Sequence, residues 1–199
     1  INQVDQMKLV FKEFNLKTAV IKQDVEPLVE KILQYMDERN GGFKGAPKFP
    51  QLYIFDTIFY FYNKNKKNSF LDVVRKLLNN ISSKGIYDHL GGGISRYTVD
   101  EKWIIPHFEK MFYDNILFVR TLNNYLVNKK DKKLNNKLIQ TINFVNNEFL
   151  NDKNLLGSAY DADSEGIEGK YYVWSNEEIK GLLGNDIDIF KKKYLVTKE

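Results

Sequence analysis

The chain has 199 residues, with 30 Lys+Arg against 26 Asp+Glu, 2 His and no Cys. Its length fits one or two domains, and its 43% of hydrophobic residues supply a packed core. A net charge of +4 argues against a dedicated nucleic-acid binder, and without Cys there is no disulfide framework, zinc–thiolate site or thiol nucleophile.

No apolar run is long enough for a membrane-spanning helix, and INQVDQMKLV lacks the regions of a signal peptide. A cytoplasmic location is expected. Ile1 in place of Met marks the chain as processed or as an excised piece. Residues 3–22 are weakly helical, with Val4, Met7, Leu9, Val10 and Phe14 as apolar positions. Asp24 is the expected N-cap of a helix whose first turn tolerates Pro27. Leu28, Val29, Ile32, Leu33 and Met36 continue it, to a stop at Asn40-Gly41. A loop follows to Pro50, then helices over 51–63 and 69–83 around a lysine-rich break. An irregular segment spans 85–106. Helices return over 107–128 and 134–150, joined by a solvated turn at Lys129 to Lys133. Over 157–174 a small β-hairpin is expected, with strand propensity at Tyr171, Tyr172 and Val173 and turns at Gly166 and Gly169. Ser175 reads as an N-cap with Glu178 as its capping-box partner. A short helix then ends near Gly184, and another covers 186–194.

The 12 glycines gather at 41–45, 85–93, 157–169 and 181–184. This makes a loose repeat of helix pair and glycine-rich loop, marked by Gly42-Phe43, Gly92-Gly93 and Gly157. Hairpins whose elaborate loops share one side suggest a ring of helices; a simple helical array is the alternative.

The loops hold the unusual residues. Both histidines, His89 and His107, lie in 85–114 with Tyr87, Asp88, Arg96, Tyr97, Trp103, Glu109, Lys110 and Asp114. Gly91 to Gly93 permit close approach of a ligand to the backbone. A glycine-rich loop held by its aromatics is the plainer account. On a helix beginning at Pro106, His107, Lys110 and Asp114 fall within roughly 60° of arc at about 100° per residue, a set suited to proton transfer. Lys110 and Asp114 equally make an i,i+4 ion pair, and Glu109 a first-turn acid. In the second loop Asp161, Asp163 and Glu165 alternate, so an extended backbone puts them on one face. Such carboxylates suit acid/base work or cation binding, a less regular calcium site among the alternatives, or are merely caps of a polar turn. An EF-hand is rejected, since its twelfth position is Tyr172, and no metal site is assigned. The loop at 41–50 lacks the Gly-Lys-Ser/Thr ending of a phosphate loop, and its Lys44 and Lys48 are expected to be exposed, with Phe43 and Phe49 as anchors. No Gly-x-Ser-x-Gly elbow occurs.

The strings GGFKGAPKFP, YDHLGGGISRYTVDEKWIIPHFEKMFYDN and SAYDADSEGIEGKYYVW together resemble the YyaL family, which includes the spermatogenesis-associated thioredoxin-like proteins. The resemblance covers about residues 20–199. It implies a mainly α fold, an incomplete (α/α)6 six-hairpin toroid similar to N-acylglucosamine epimerases and cellulase-type glycosidases. Residues 1–199 are then one domain, about the first half of the toroid, with a thioredoxin-like domain elsewhere in the full-length protein. It also implies that Asp88, His89, Arg96, His107, Lys110, Asp114, Asp161, Asp163, Glu165 and Glu168 converge on a central cavity. In the enzyme reading, Asp161 or Asp163 and a His exchange protons with a sugar or polyol; Arg96 and Lys110 hold an anionic group; Tyr97, Trp103 and Tyr160 stack on sugar faces. The alternatives are a non-catalytic module serving a redox domain, and a purely structural scaffold. No cofactor, membrane or nucleic acid is expected, and an exposed apolar face on the last helices would favour pairing of two copies.

Overall fold

The computed structural model describes residues 25–194. The weak helix expected over 3–22 and the cap expected at Asp24 lie outside the described residues. The chain divides into two units, 1–34 and 35–199. In the first, α1 (Glu26–Leu33) carries Pro27 in its first turn, where a missing N–H costs nothing.

The helix expected to reach Asn40 ends at Leu33. The carboxylate of Asp37 accepts the amides of Arg39 and Asn40 at 2.9 and 2.8 Å and so offers that backbone a turn instead. Met36 leaves the helix and bridges Phe43.

The second unit is built on two helical hairpins, α2 (Leu52–Asn65) with α3 (Asn68–Ser83), and α4 (Phe112–Asn128) with α5 (Lys132–Phe144). In α2 the buried set Leu52, Phe55, Ile58, Phe59 and Tyr62 recurs at helical spacing, and in α3 Phe70, Val74, Leu77, Leu78 and Ile81 do the same. These faces pack α2 on α3, α4 on α5, α2 beside α4 and α3 beside α5. Asp131 starts α5 by accepting the amides of Lys133 and Leu134. A single π-helical turn, Val145–Phe149, extends α5. After a long loop, α6 (Asn176–Leu183) opens on the expected Ser175–Glu178 capping box, and α7 (Ile187–Tyr194) follows; neither buries a residue. Among the described residues no helix is long and apolar enough to cross a membrane.

The links within the hairpins are two or three residues long and lie at one end. The long loops 35–51, 84–111 and 150–175 therefore meet at the other. Their backbone groups find partners in one another. β1 (Tyr97–Thr98) pairs with β2 (Pro106–His107), and β3 (Lys110–Met111) pairs with β4 (Ala159–Tyr160), all antiparallel. β5 (Asp163–Ser164) and β6 (Ile167–Glu168) form the small hairpin expected within 157–174. Lys48 and Thr98 exchange both backbone bonds, at 2.8 and 2.9 Å. These pairings correct two expectations. The helix expected from Pro106 starts at Phe112, because the backbone between is taken up by neighbouring loops: Arg96 donates to the Glu109 carbonyl and Phe112 to that of Ser158. Tyr171 to Val173 form a turn, not a strand, since the amides of Tyr172 and Val173 both donate to the carbonyl of Gly169.

The repeat is present in atomic detail. Asp37 and Asp88 occupy equivalent turns. Each donates its amide to a glycine carbonyl five residues on (Gly42, Gly93) and accepts the amide of the glycine before it (Gly41, Gly92). Each carboxylate also caps the two amides that follow, at residues 39 and 40 or 90 and 91. The flanking residues bridge in both copies, Met36 to Phe43 and Tyr87 to Ile94. A third, shorter copy sits at Asn151, which caps Lys153 and Leu155 beneath a Leu150–Leu156 bridge. Gly93 stands at φ +79°, and a side chain there would collide with the Phe144 ring and with Asn115. Asn115 itself is fully buried; it accepts the Ile94 amide and donates to the carbonyls of Ile94 and Met111, tying the loop to the start of α4.

Lys48, expected at the surface, is 2% exposed. Its ammonium lies 2.6 Å from Asp37 Oδ2, donates to the Glu101 carbonyl at 2.9 Å and sits 5.1 Å from the Trp103 ring centre. A buried ammonium demands such partners. Burial acts to raise the Asp37 carboxyl, but Lys48 and Asn40 override it and hold the group well below the usual carboxylate range. A depressed carboxylate contributes stability above its unfolded value, about 3.9, and loses it as pH falls below that. Urea unfolding between about pH 2 and 7 is expected to show an acid-side loss of stability that is shallower in Asp37→Asn.

Candidate functional site

Where the loops meet they enclose a cavity of about 450 Å³, of a size that takes small molecules. Asp88, Gly91, Lys110, Tyr160, Asp161 and Asp163 come from the loops singled out in the sequence; Phe144, Glu148, Ser164, Tyr171 and Tyr172 complete the lining. A second cleft, between α2 and α4, has Asp56 as its single carboxylate, 2.9 Å from Arg120 Nε, and is remote from the loops.

Lys110 anchors the cavity wall. It is 2% exposed, and its ammonium contacts Asp88 Oδ2 at 2.7 Å and the Gly92 carbonyl at 2.9 Å. The rings of Phe144 and Tyr172 stand 4.5 and 5.0 Å from it. Burial acts to raise the Asp88 carboxyl, and Lys110 with the amides of Gly91 and Leu90 outweighs it, so the carboxyl is held down and ionised. Burial likewise pulls the Lys110 ammonium below its ordinary value, against the opposing pull of Asp88.

The other wall is aromatic and acidic. Tyr160 donates its hydroxyl to the Glu148 carbonyl at 2.6 Å and packs edge-on against Phe149. Tyr172 stacks on Phe108 at 5.3 Å. Burial, then the charge of Asp88, pushes the Tyr172 hydroxyl up to about 12. Asp161 accepts the Asp163 amide at 3.1 Å, so one of its oxygens caps the turn while the side chain still faces the cavity. Among the described residues no basic side chain forms an ion pair with Asp161, Asp163 or Glu148.

The remaining residues singled out in the sequence do not line this cavity. His89 has both ring nitrogens engaged, Nε2 with the Lys84 carbonyl at 3.0 Å and Nδ1 with Lys137 Nζ at 3.4 Å. Burial and then Lys137 lower its pKa, which favours the neutral imidazole. His107 lies in β2, stacked on Tyr97 at 4.7 Å with Nδ1 2.7 Å from Glu168. Tyr97 is thereby held between His107 and Phe49 and offers no open face for a sugar. Trp103 is fully buried and donates to the Asn40 carbonyl at 3.0 Å, so it frames the loops and stacks on nothing outside them. Arg96 pairs with Glu109 at 2.9 Å outside the cavity lining, and Glu109 lies ahead of α4 instead of in a first helical turn. Lys110 pairs with Asp88, which removes it both from the expected pair with Asp114 and from anion binding. Glu165 sits at the hairpin turn with φ +54°, where the alternation breaks, and pairs with Lys170.

Of the residues not foreseen, Phe144 and Glu148 are four apart at the loop end of α5 and its π turn. That spacing puts them on one face and was readable. Tyr171 and Tyr172 carry strand propensity in the sequence, and it is the turn they form that brings them to the cavity.

Asp114, in the first turn of α4, has a buried carboxylate oxygen without a hydrogen-bond partner. Burial raises its pKa to about 6, with Arg96 opposing and Glu109 adding to the rise. A carboxyl raised on folding favours the protonated native state, so its penalty grows as pH rises from about 4 to 6. Asp114→Asn is expected to unfold at higher urea than the parent at pH 7 and to lose that advantage near pH 4; thermal and urea midpoints read this. Removing the Lys110 ammonium leaves Asp88 uncompensated. Lys110→Met is expected to cost roughly 3 kcal/mol in urea unfolding, and Lys110→Met with Asp88→Asn to recover most of it.

No family model matches the chain. An uncharacterised protein of Caenorhabditis elegans is 33% identical over 163 residues, 75% of this chain and 22% of that protein. Spermatogenesis-associated protein 20 of Homo sapiens is 31% identical over 157 residues, 74% of this chain and 20% of that protein. The chain thus spans about a fifth of the length of these relatives. Among solved structures, a cellobiose 2-epimerase from Spirochaeta thermophila matches with TM-score 0.58 and 15% identity, over 70% of this chain and 41% of that one. A sugar epimerase from a ruminal bacterium matches with TM-score 0.59 and 18% identity, over 79% and 41%. At such identities the likeness carries the fold alone. The chain is a homologue of spermatogenesis-associated protein 20 and the YyaL-like proteins, and its hairpins have the (α/α)6 toroid fold of the sugar epimerases.

Proposed function

We propose that this segment supplies part of a carbohydrate site, in which Asp161 and Asp163 exchange protons with a sugar or related polyol lying against Tyr160 and Tyr171. The observation that supports it is the cavity itself. Carboxylates without a basic partner stand beside aromatic rings at the loop end of a fold shared with proteins titled as epimerases of cellobiose and other sugars. Isomerisation at a carbon next to a carbonyl needs a base that removes a proton and an acid that returns one. Asp161 and Asp163, on one short loop, would serve one face of the substrate, and inversion would also draw on a group at the opposite face.

One observation favours a second reading, a non-catalytic binding module attached to a thioredoxin-like domain. Neither imidazole lines the cavity, so neither is placed to exchange protons with a ligand in it. That module would bind sugar without turnover and tolerate loss of either His.

The full-length protein, incubated in D₂O with glucose, mannose or cellobiose, is expected to exchange the hydrogen at C2 for deuterium, read as loss of its proton signal. Asp161→Asn and Asp163→Asn should each slow this by about a hundredfold or more. Saturable binding without exchange would select the binding module. Absence of both binding and exchange would sink the carbohydrate reading.

A further inference from the structure

The charges in the cavity are unequal. Asp88, Glu148, Asp161 and Asp163 face one ammonium, Lys110, which is 2% exposed and already committed to Asp88 and the Gly92 carbonyl. Among the described residues no other basic side chain lines the cavity to meet Asp161 and Asp163, and Glu148 feels only the field of Lys110. Arg96, which might have balanced them, is held by Glu109 outside the cavity. The rings add to the same field. Phe144 and Tyr172 already hold one cation at 4.5 and 5.0 Å, while Tyr160 and Tyr171 stand at the rim with no cation over them among the described residues. Aromatic faces beside carboxylates are a receptor for a protonated amine, which gains hydrogen bonds from the acids and a cation–π contact from the rings. An anionic sugar would meet uncompensated like charge there.

We propose that the ligand of this cavity carries a protonated amine and that, given the carbohydrate reading on which this rests, it is an amino sugar. Glu148 takes the ammonium, and the ring lies toward Tyr160, Asp161 and Asp163. The selection is one of charge, so it weakens with salt at this half-open site.

The test is calorimetric titration of the full-length protein near pH 7 with glucosamine, glucose, gluconate and cyclohexylamine. Glucosamine is expected to bind about tenfold or more tighter than glucose, and gluconate not at all. In Glu148→Gln the preference of glucosamine over glucose should fall toward unity. The Glu148 side chain is exposed, so this variant should fold, as circular dichroism would verify. Glucose or gluconate binding as tightly as glucosamine would overturn the amine selection and leave the carbohydrate reading standing. Cyclohexylamine binding in a Glu148-dependent way with no sugar bound would keep the amine selection and overturn the carbohydrate reading. No binding of any of the four would overturn both.

Discussion

An ammonium group buried in protein must be met by a carboxylate and by oriented dipoles, or the fold does not form. Two lysines impose that demand here. Lys48 meets Asp37, the Glu101 carbonyl and the Trp103 ring; Lys110 meets Asp88, the Gly92 carbonyl and the Phe144 and Tyr172 rings. The two sites are versions of one device. In each, an aspartate that shapes a tight glycine turn with one oxygen offers the other to a lysine from a different stretch of loop. The turn fixes the carboxylate, and the carboxylate fixes the lysine. Long loops without helices of their own are thereby made as definite as the hairpins that carry them.

The division between legible and illegible parts of the sequence follows from this. Apolar periodicity is local, so the helices 52–65 and 68–83 were visible, as were the Ser175–Glu178 cap and the glycine loops. The burial of Lys48 was not, because nothing near it in sequence announces a carboxylate eleven residues back and a carbonyl fifty-three ahead. The start of α4 failed for the same reason. Pro106 to Met111 have helical spacing, yet their backbone pairs with Tyr97, Thr98, Ala159 and Tyr160. Partners at such separations override local preference.

The candidate site divides in the same way. Alternation carried Asp161 and Asp163 to a common wall, and the αL turn at Glu165 removed the third acid from it. The wheel that joined His107, Lys110 and Asp114 presumed a helix that begins six residues later. Each of the three found another environment: a tyrosine face and Glu168, a buried pair with Asp88, and a half-buried pocket beside Arg96. The cavity also takes Phe144 and Glu148 from the loop-facing end of a helix, and Ser164, Tyr171 and Tyr172 from the last loop.

The repeated turn also sets an order of events. The hydrogen bonds of each aspartate turn span no more than five residues, so the turn closes as soon as its segment exists. Its lysine lies eleven or twenty-two residues further on, and that lysine's last partners further still, at Glu101 or Tyr172. A chain emerging from the ribosome at about 5–20 residues per second would close these sites one after another. Each aspartate–lysine site thus takes its last partner from the loop that follows its hairpin, so every hairpin is completed by a stretch of chain made after it.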